Sequence, residues 1–107
     1  MDLFHTTDCD GVSQLNPDIE TLREVIAQLD DPDFEEADHQ DVSLVHDPSG
    51  WSMALFPTGI ATFENLSDSD SPPKVMSGLT RTAALKLWIE LSKGHIEHLK
   101  ALEWEDV

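Results

Sequence analysis

The sequence predicts a single α+β domain over residues 1–107: an antiparallel meander of three to four strands, with one helix before it and two after it, in the order α-β-β-β-(β)-α-α. Three observations predict it. Two Pro-x-Gly turns recur nine residues apart in the middle of the chain, strand-like segments flank both, and segments of helical apolar spacing lie on either side.

The turns are Pro48-Ser49-Gly50 and Pro57-Thr58-Gly59. Proline presets φ for the second position of a type I turn, and glycine accepts the positive φ of the bulge that joins such a turn to a hairpin. Segments 41–47, 51–56 and 60–66 become the three strands, and Lys74–Ser77 offers a fourth. The same turn geometry predicts the register. In the first hairpin Val45 is expected opposite Met53 and Leu44 opposite Ala54; in the second, Met53 opposite Phe63 and Leu55 opposite Ala61. One face then gathers Val45, Trp51, Met53, Leu55, Ala61 and Phe63 as the core. The other carries an apolar end, Val42, Leu44, Phe56 and Ile60, and a polar row, His46, Ser52 and Glu64. Either the first helix covers that apolar end or another subunit does, and a homodimer through those four residues is the favoured of the two.

The first helix starts around Asn16-Pro17-Asp18, where Asn can accept from free N–H groups, Pro suits the first turn and Asp complements the positive helix end. Ile19, Leu22, Val25, Ile26 and Leu29 follow on one face, and Asp30-Asp31-Pro32 ends the run. Residues 1–15 read as a loose N-terminal arm with a short extended piece at Val12–Leu15. After the meander, Thr80 or Thr82 caps a helix reaching about Lys93, with Ala84, Leu85, Leu87, Trp88, Ile89 and Leu91 as its apolar stripe. Gly94 stops it, and a short helix over His95–Glu103 turns Ile96, Leu99 and Leu102 inward. Trp51 and Trp88 read as packing anchors, while Trp104 either anchors a partner or tucks the C-terminus down.

Charge bounds the function. With 22 acidic and 6 basic residues the chain carries −16, and 39% hydrophobic content is enough to build one core. The excess is uneven: residues 1–50 hold 14 acids against Arg23 alone, whereas residues 51–107 hold 8 acids and 5 bases. Segment 30–41 is an acidic loop with seven carboxylates. Such a field repels phosphate backbones and anionic lipid, so neither nucleic acid nor a membrane surface is an expected partner; a basic protein is. The single Cys9 forms no internal disulfide, and residues 1–10 lack the pattern of a signal peptide, which together predict a cytoplasmic protein.

No catalytic residue, metal site or cofactor is predicted. His46, Ser52 and Glu64 would stand in a row with serine at the centre, whereas a nucleophile relay needs the histidine there. His95 and His98 share a helix face but bring only two of the three or four ligands zinc requires. Asp8-Cys9-Asp10-Gly11 repeats only a fragment of a calcium loop, and the five glycines form no phosphate-binding spacing.

The functional expectation is therefore a non-enzymatic acidic binding protein that engages a basic partner through Asp30, Asp31, Asp33, Glu35, Glu36 and Asp38. In charge, size and meander it is similar to bacterial immunity proteins, which neutralise basic toxins, and to DNA-mimicking inhibitors. Two alternatives stand beside this reading. One is a small hydrolase or metal-binding protein using His46 with Glu64 or His95 with His98. The other is a domain whose acidity only adapts it to its medium.

Overall fold

The computed structural model describes residues 3–31, 41–68, 70 and 73–105. It is an α+β fold with one six-stranded, wholly antiparallel sheet and helices on one face. The strands are β1 (Phe4–Thr7), β2 (Ser13–Leu15), β3 (Val42–His46), β4 (Trp51–Leu55), β5 (Ala61–Asn65) and β6 (Lys74–Met76). Their order in the sheet is β2-β1-β3-β4-β5-β6. The helices are α1 (Ile19–Ala27), α2 (Arg81–Ser92) and α3 (Ile96–Lys100), with a 3₁₀ turn at Gln28–Asp30.

The meander β3-β4-β5 and the added strand β6 form as the turns predict. The N-terminal residues, expected as a loose arm, are instead two strands. β1 pairs with β3, and a tight hairpin returns the chain as edge strand β2. That hairpin is built on Asp8-Cys9-Asp10-Gly11. The Asp8 N–H donates to Val12 C=O at 3.0 Å, and Gly11, at φ +79°, closes the turn onto Asp8 C=O at 3.0 Å. The buried Asp8 carboxylate accepts from the Asp10 and Val12 N–H groups at 3.0 and 2.9 Å. The aspartate that echoes a calcium loop is thus a turn residue whose acceptors are aimed at its own backbone.

The second meander turn has the same build, with Phe56 N–H on Ile60 C=O and Gly59 N–H on Phe56 C=O, and its predicted register holds. The first does not. It keeps four residues, Asp47–Gly50, and Gly50 N–H reaches back to His46 C=O at 2.9 Å. His46 therefore opposes Trp51 and Leu44 opposes Met53, one residue from the expected pairing, which moves every side chain of β3 to the other face. Val42, Leu44 and His46 turn inward with Trp51, Met53, Leu55, Ala61 and Phe63; Ser43 and Val45 turn outward.

α2 lies over β3 and β4, with α1 and α3 packed against it. Its Trp88 is wholly buried and donates its indole N–H to Met53 C=O at 3.2 Å, so the largest core side chain is also a polar tie to the central strand. Thr80 caps α2 by accepting from Ala83 N–H, and Asp18, rather than Asn16, caps α1 by accepting from Thr21 N–H. Asn16 adopts φ +49° and accepts from Phe4 N–H, closing the β1–β2 pair. At the end of α2, Gly94 donates to Leu91 C=O and His95 to Glu90 C=O, the paired bonds of a glycine-terminated helix.

Trp104 tucks the C-terminus down. Its ring stacks on Phe63 at 5.3 Å, Phe63 stacks on Trp51 at 4.4 Å, and its indole N–H donates to Leu99 C=O at 2.7 Å. The following residue, Glu105, donates its N–H to Val75 C=O and bridges the outer edge of β6.

Candidate acidic surface

The acidic side chains are positioned by the β1–β2 turn and by the end of α1. Gln28, at the last turn of that helix, reaches the turn with its side-chain carbonyl. Cys9 donates to it both its N–H at 3.2 Å and its thiol at 3.0 Å. This contact brings together two acidic runs some twenty residues apart in sequence. Their fields are felt at Cys9, whose thiol pKa is raised by burial first, then by Asp10, Asp8 and, more weakly, Asp31. Asp10 and Asp31 are exposed. The corner they form is where segment 32–40 departs, and Asp33, Glu35, Glu36 and Asp38 of the expected partner-binding set lie outside the described residues.

Asp30 is engaged by Arg81. Arg81 at the start of α2 grips its carboxylate with Nε at 3.1 Å and Nη2 at 2.9 Å, and the same Nη2 donates to Pro57 C=O at 3.0 Å. The guanidinium hydrogen bonds hold the Asp30 carboxyl below the usual carboxylate range. Arg81 thereby joins α1, the second meander turn and α2. Asp30 serves that junction and so has an internal role.

The polar row divides. Ser52 and Glu64 do oppose each other on the outward face, but Val45 occupies the place expected for His46. His46 lies on the inward face, 4% exposed, with Nδ1 at 2.7 Å from Ser49 Oγ. The side chain beyond Val45 is His5, on β1. Two strand spacings separate it from Ser52, roughly 9–10 Å and beyond hydrogen-bond reach. His5 instead pairs with Asp47 at 2.9 Å. Neither His46 nor His5 is placed to serve Ser52 as a base.

His95, at the start of α3, binds the Glu90 carboxylate through Nδ1, and this bond keeps the Glu90 pKa low. Among the described residues no three His, Cys, Asp or Glu side chains gather as metal ligands. Val42 and Leu44, expected on the outer face, have no exposed surface; the observed register places them under the helices. Phe56 and Ile60 are half-buried around the second meander turn.

The described depression between α1 and α2, lined by Arg23, Ile26, Asp30, Arg81 and Leu85, measures about 170 Å³. Small-molecule sites usually enclose roughly 300 Å³ or more, and here both arginines at the rim are already paired, Arg23 with Glu20 and Arg81 with Asp30. No described helix is long and apolar enough to cross a membrane. Compared with protein-family models, with curated proteins and with solved structures, the chain matches none.

Proposed function

We propose that this protein is a non-enzymatic binding protein whose acidic corner engages a basic protein partner. The observation that carries the reading is the convergence at Cys9: the turn at residues 8–11 and the end of α1 pool their carboxylates where the acidic segment 32–40 begins. Carboxylates gathered on one side of a rigid fold make a directional field, which speeds encounter with a basic surface and selects against acidic ones.

The test is capture from native lysate by wild-type protein and by a variant with Asp10, Asp31, Asp33, Glu35, Glu36 and Asp38 changed to Asn or Gln. Asp30 is left intact because it holds Arg81. The reading requires a captured protein of basic pI whose association rate falls with added salt and falls again in the variant. A partner bound with the same rate and salt dependence by both forms would overturn it.

A further inference from the structure

The two edges of the sheet are finished differently. The outer edge of β6 is bridged by Glu105 and carries Lys74, and Ser77 Oγ adds a bond to the Glu105 carboxylate at 3.1 Å. A charge and a covering segment of this kind are how natural sheets keep an edge from recruiting another chain. The outer edge of β2 has neither. No described residue pairs with it, and Gly11 through Pro17 carry no charge.

The backbone of β2 is set for pairing. Asp8 N–H binds Val12 C=O and Asn16 N–H binds Phe4 C=O, which fixes the phase of the β1–β2 ladder. Val12, Gln14 and Asn16 spend their main-chain groups on β1; Ser13 and Leu15 direct theirs outward. Apolar surface gathers at the same place. Of the five large hydrophobic side chains exposed among the described residues, Leu3, Val12, Leu15 and Ile19 belong to this end of the chain, with Leu15 the most exposed at 68%. An open backbone edge beside exposed apolar side chains is the surface used when an extended peptide adds a strand.

Charge decides the occupant. Asp10 and Asp18 flank the neutral edge, and no Lys or Arg occurs in residues 1–22. A second copy pairing antiparallel about Gln14 would set Asp10 against the other copy's Asp18 at both ends of the contact, an unfavourable approach of like charges. A strand with a neutral β-forming centre and basic ends would instead be drawn to those carboxylates. We infer that the outer edge of β2 accepts an extended, Lys- or Arg-flanked segment of a basic protein as a seventh strand. This rests on the binding reading above and names the form in which the partner is held.

The probe is a synthetic peptide with a Thr-Val-Thr-Val-Thr centre and two lysines at each end. Its control is the same peptide N-methylated at alternate central residues, which keeps the charge but cannot pair as a strand. Titration into ¹⁵N-labelled protein should shift the amides of Ser13 and Leu15. The unmethylated peptide should bind about tenfold more tightly, the worth of one or two hydrogen bonds. Ser13→Pro removes an outward donor while sparing the backbone bonds to β1 and should erase the difference; it also loses the Ser13–Thr7 hydroxyl bond, so a thermal melt checks that it folds. Equal binding of the two peptides, or shifts only around Cys9 and Asp31, would overturn the edge inference and leave a purely electrostatic binder. No binding of either peptide at low salt overturns it as well. A dimer seen by sedimentation in wild type and lost in Ser13→Pro would assign the edge to a second copy instead.

Discussion

His46 faces Trp51 across the β3–β4 hairpin, and that one pairing decides which side of β3 is core. It is fixed by side-chain chemistry in the turn. Ser49 Oγ accepts from Trp51 N–H at 3.2 Å and lies 2.7 Å from His46 Nδ1, so the four-residue loop is held from within. Gly50 completes it at φ +77°.

Gly50→Ala should therefore be more costly than an ordinary glycine change. The new Cβ would lie 2.4 Å from Ser67 Oγ and 3.1 Å from Asn65 Oδ1, in a backbone region that disfavours L side chains. Gly78→Ala has a similar φ of +72° but meets nothing within 4 Å. Denaturant unfolding should give a loss of about 1 kcal/mol at Gly78, from the backbone alone, and about 2 kcal/mol or more at Gly50. Equal losses would mean that Ser67 moves aside freely.

Thr6 should be improvable. Its side chain is 1% exposed on the inward face of β1, and its hydroxyl has no partner among the described residues. Thr6→Val keeps the β-branched shape and replaces a desolvated hydroxyl with a methyl group. Stability should rise by about 1 kcal/mol in urea unfolding, the lower end of what an unsatisfied buried polar group costs. A loss instead of a gain would reveal a bound water at that oxygen.

Trp104→Ala tests the C-terminal clasp. It removes the outer ring of the Trp51–Phe63–Trp104 stack together with the bond to Leu99 C=O. Because the ring is half-buried, a loss of about 2–3 kcal/mol is expected, below the range for a fully buried tryptophan. Hydrogen exchange should quicken at Glu105, whose N–H is held by Val75 C=O only while the clasp is closed, and change little in β1.

Acid should weaken three specific ties. Asp18 has a lowered pKa from the Thr21 N–H bond, Asp30 from Arg81 and Glu90 from His95. A carboxyl with a folded pKa below its unfolded value adds stability that is present above the unfolded pKa and disappears as pH falls through the folded one. Asp18→Asn and Asp30→Asn should each lower the melting temperature at neutral pH. The gap to wild type should close as the pH drops through and below the usual carboxylate range. A gap that stayed constant with pH would assign these positions a role without charge.

Cys9 should ionise late. Burial and the neighbouring Asp10, Asp8 and Asp31 all raise its pKa, so the pH midpoint of its alkylation by iodoacetamide in native protein should lie above that of a free thiol. Asp10→Asn should bring the midpoint down without changing the fold. An unchanged midpoint would place Asp10 too far away to contribute to the acidic corner.

The sequence carries the meander because Pro48, Gly50, Pro57 and Gly59 encode turns within a few residues of themselves. It carries the ends of α2 for the same reason: Thr80 and Gly94 act on the backbone beside them. Register in the first hairpin escapes that local reading, since two turns with the same Pro-x-Gly spelling differ by one residue once Ser49 engages His46 and Trp51. β1 escapes it too, because Phe4-His5-Thr6-Thr7 turns only Phe4 and Thr6 inward and has no apolar alternation to find. Its signal lay next to it: Asp8-Cys9-Asp10-Gly11 spells the same bulged hairpin turn as Pro57-Thr58-Gly59. The acidity of the candidate surface is legible in composition, whereas its convergence at Cys9 depends on a contact between Cys9 and Gln28 that no motif announces.

The place of β1 in the sheet has a consequence for synthesis. His5 pairs with Val45, so β1 is held between the hairpin partner β2, made directly after it, and a strand made forty residues later. Until β3 emerges, β1 and β2 are a two-stranded hairpin, a unit that is marginal by itself in water. The densest run of carboxylates, residues 30–41, lies in the stretch of chain between that hairpin and β3. Closing the loop costs entropy that grows only slowly with its length, so the delay is tolerable once the meander offers an edge to dock on.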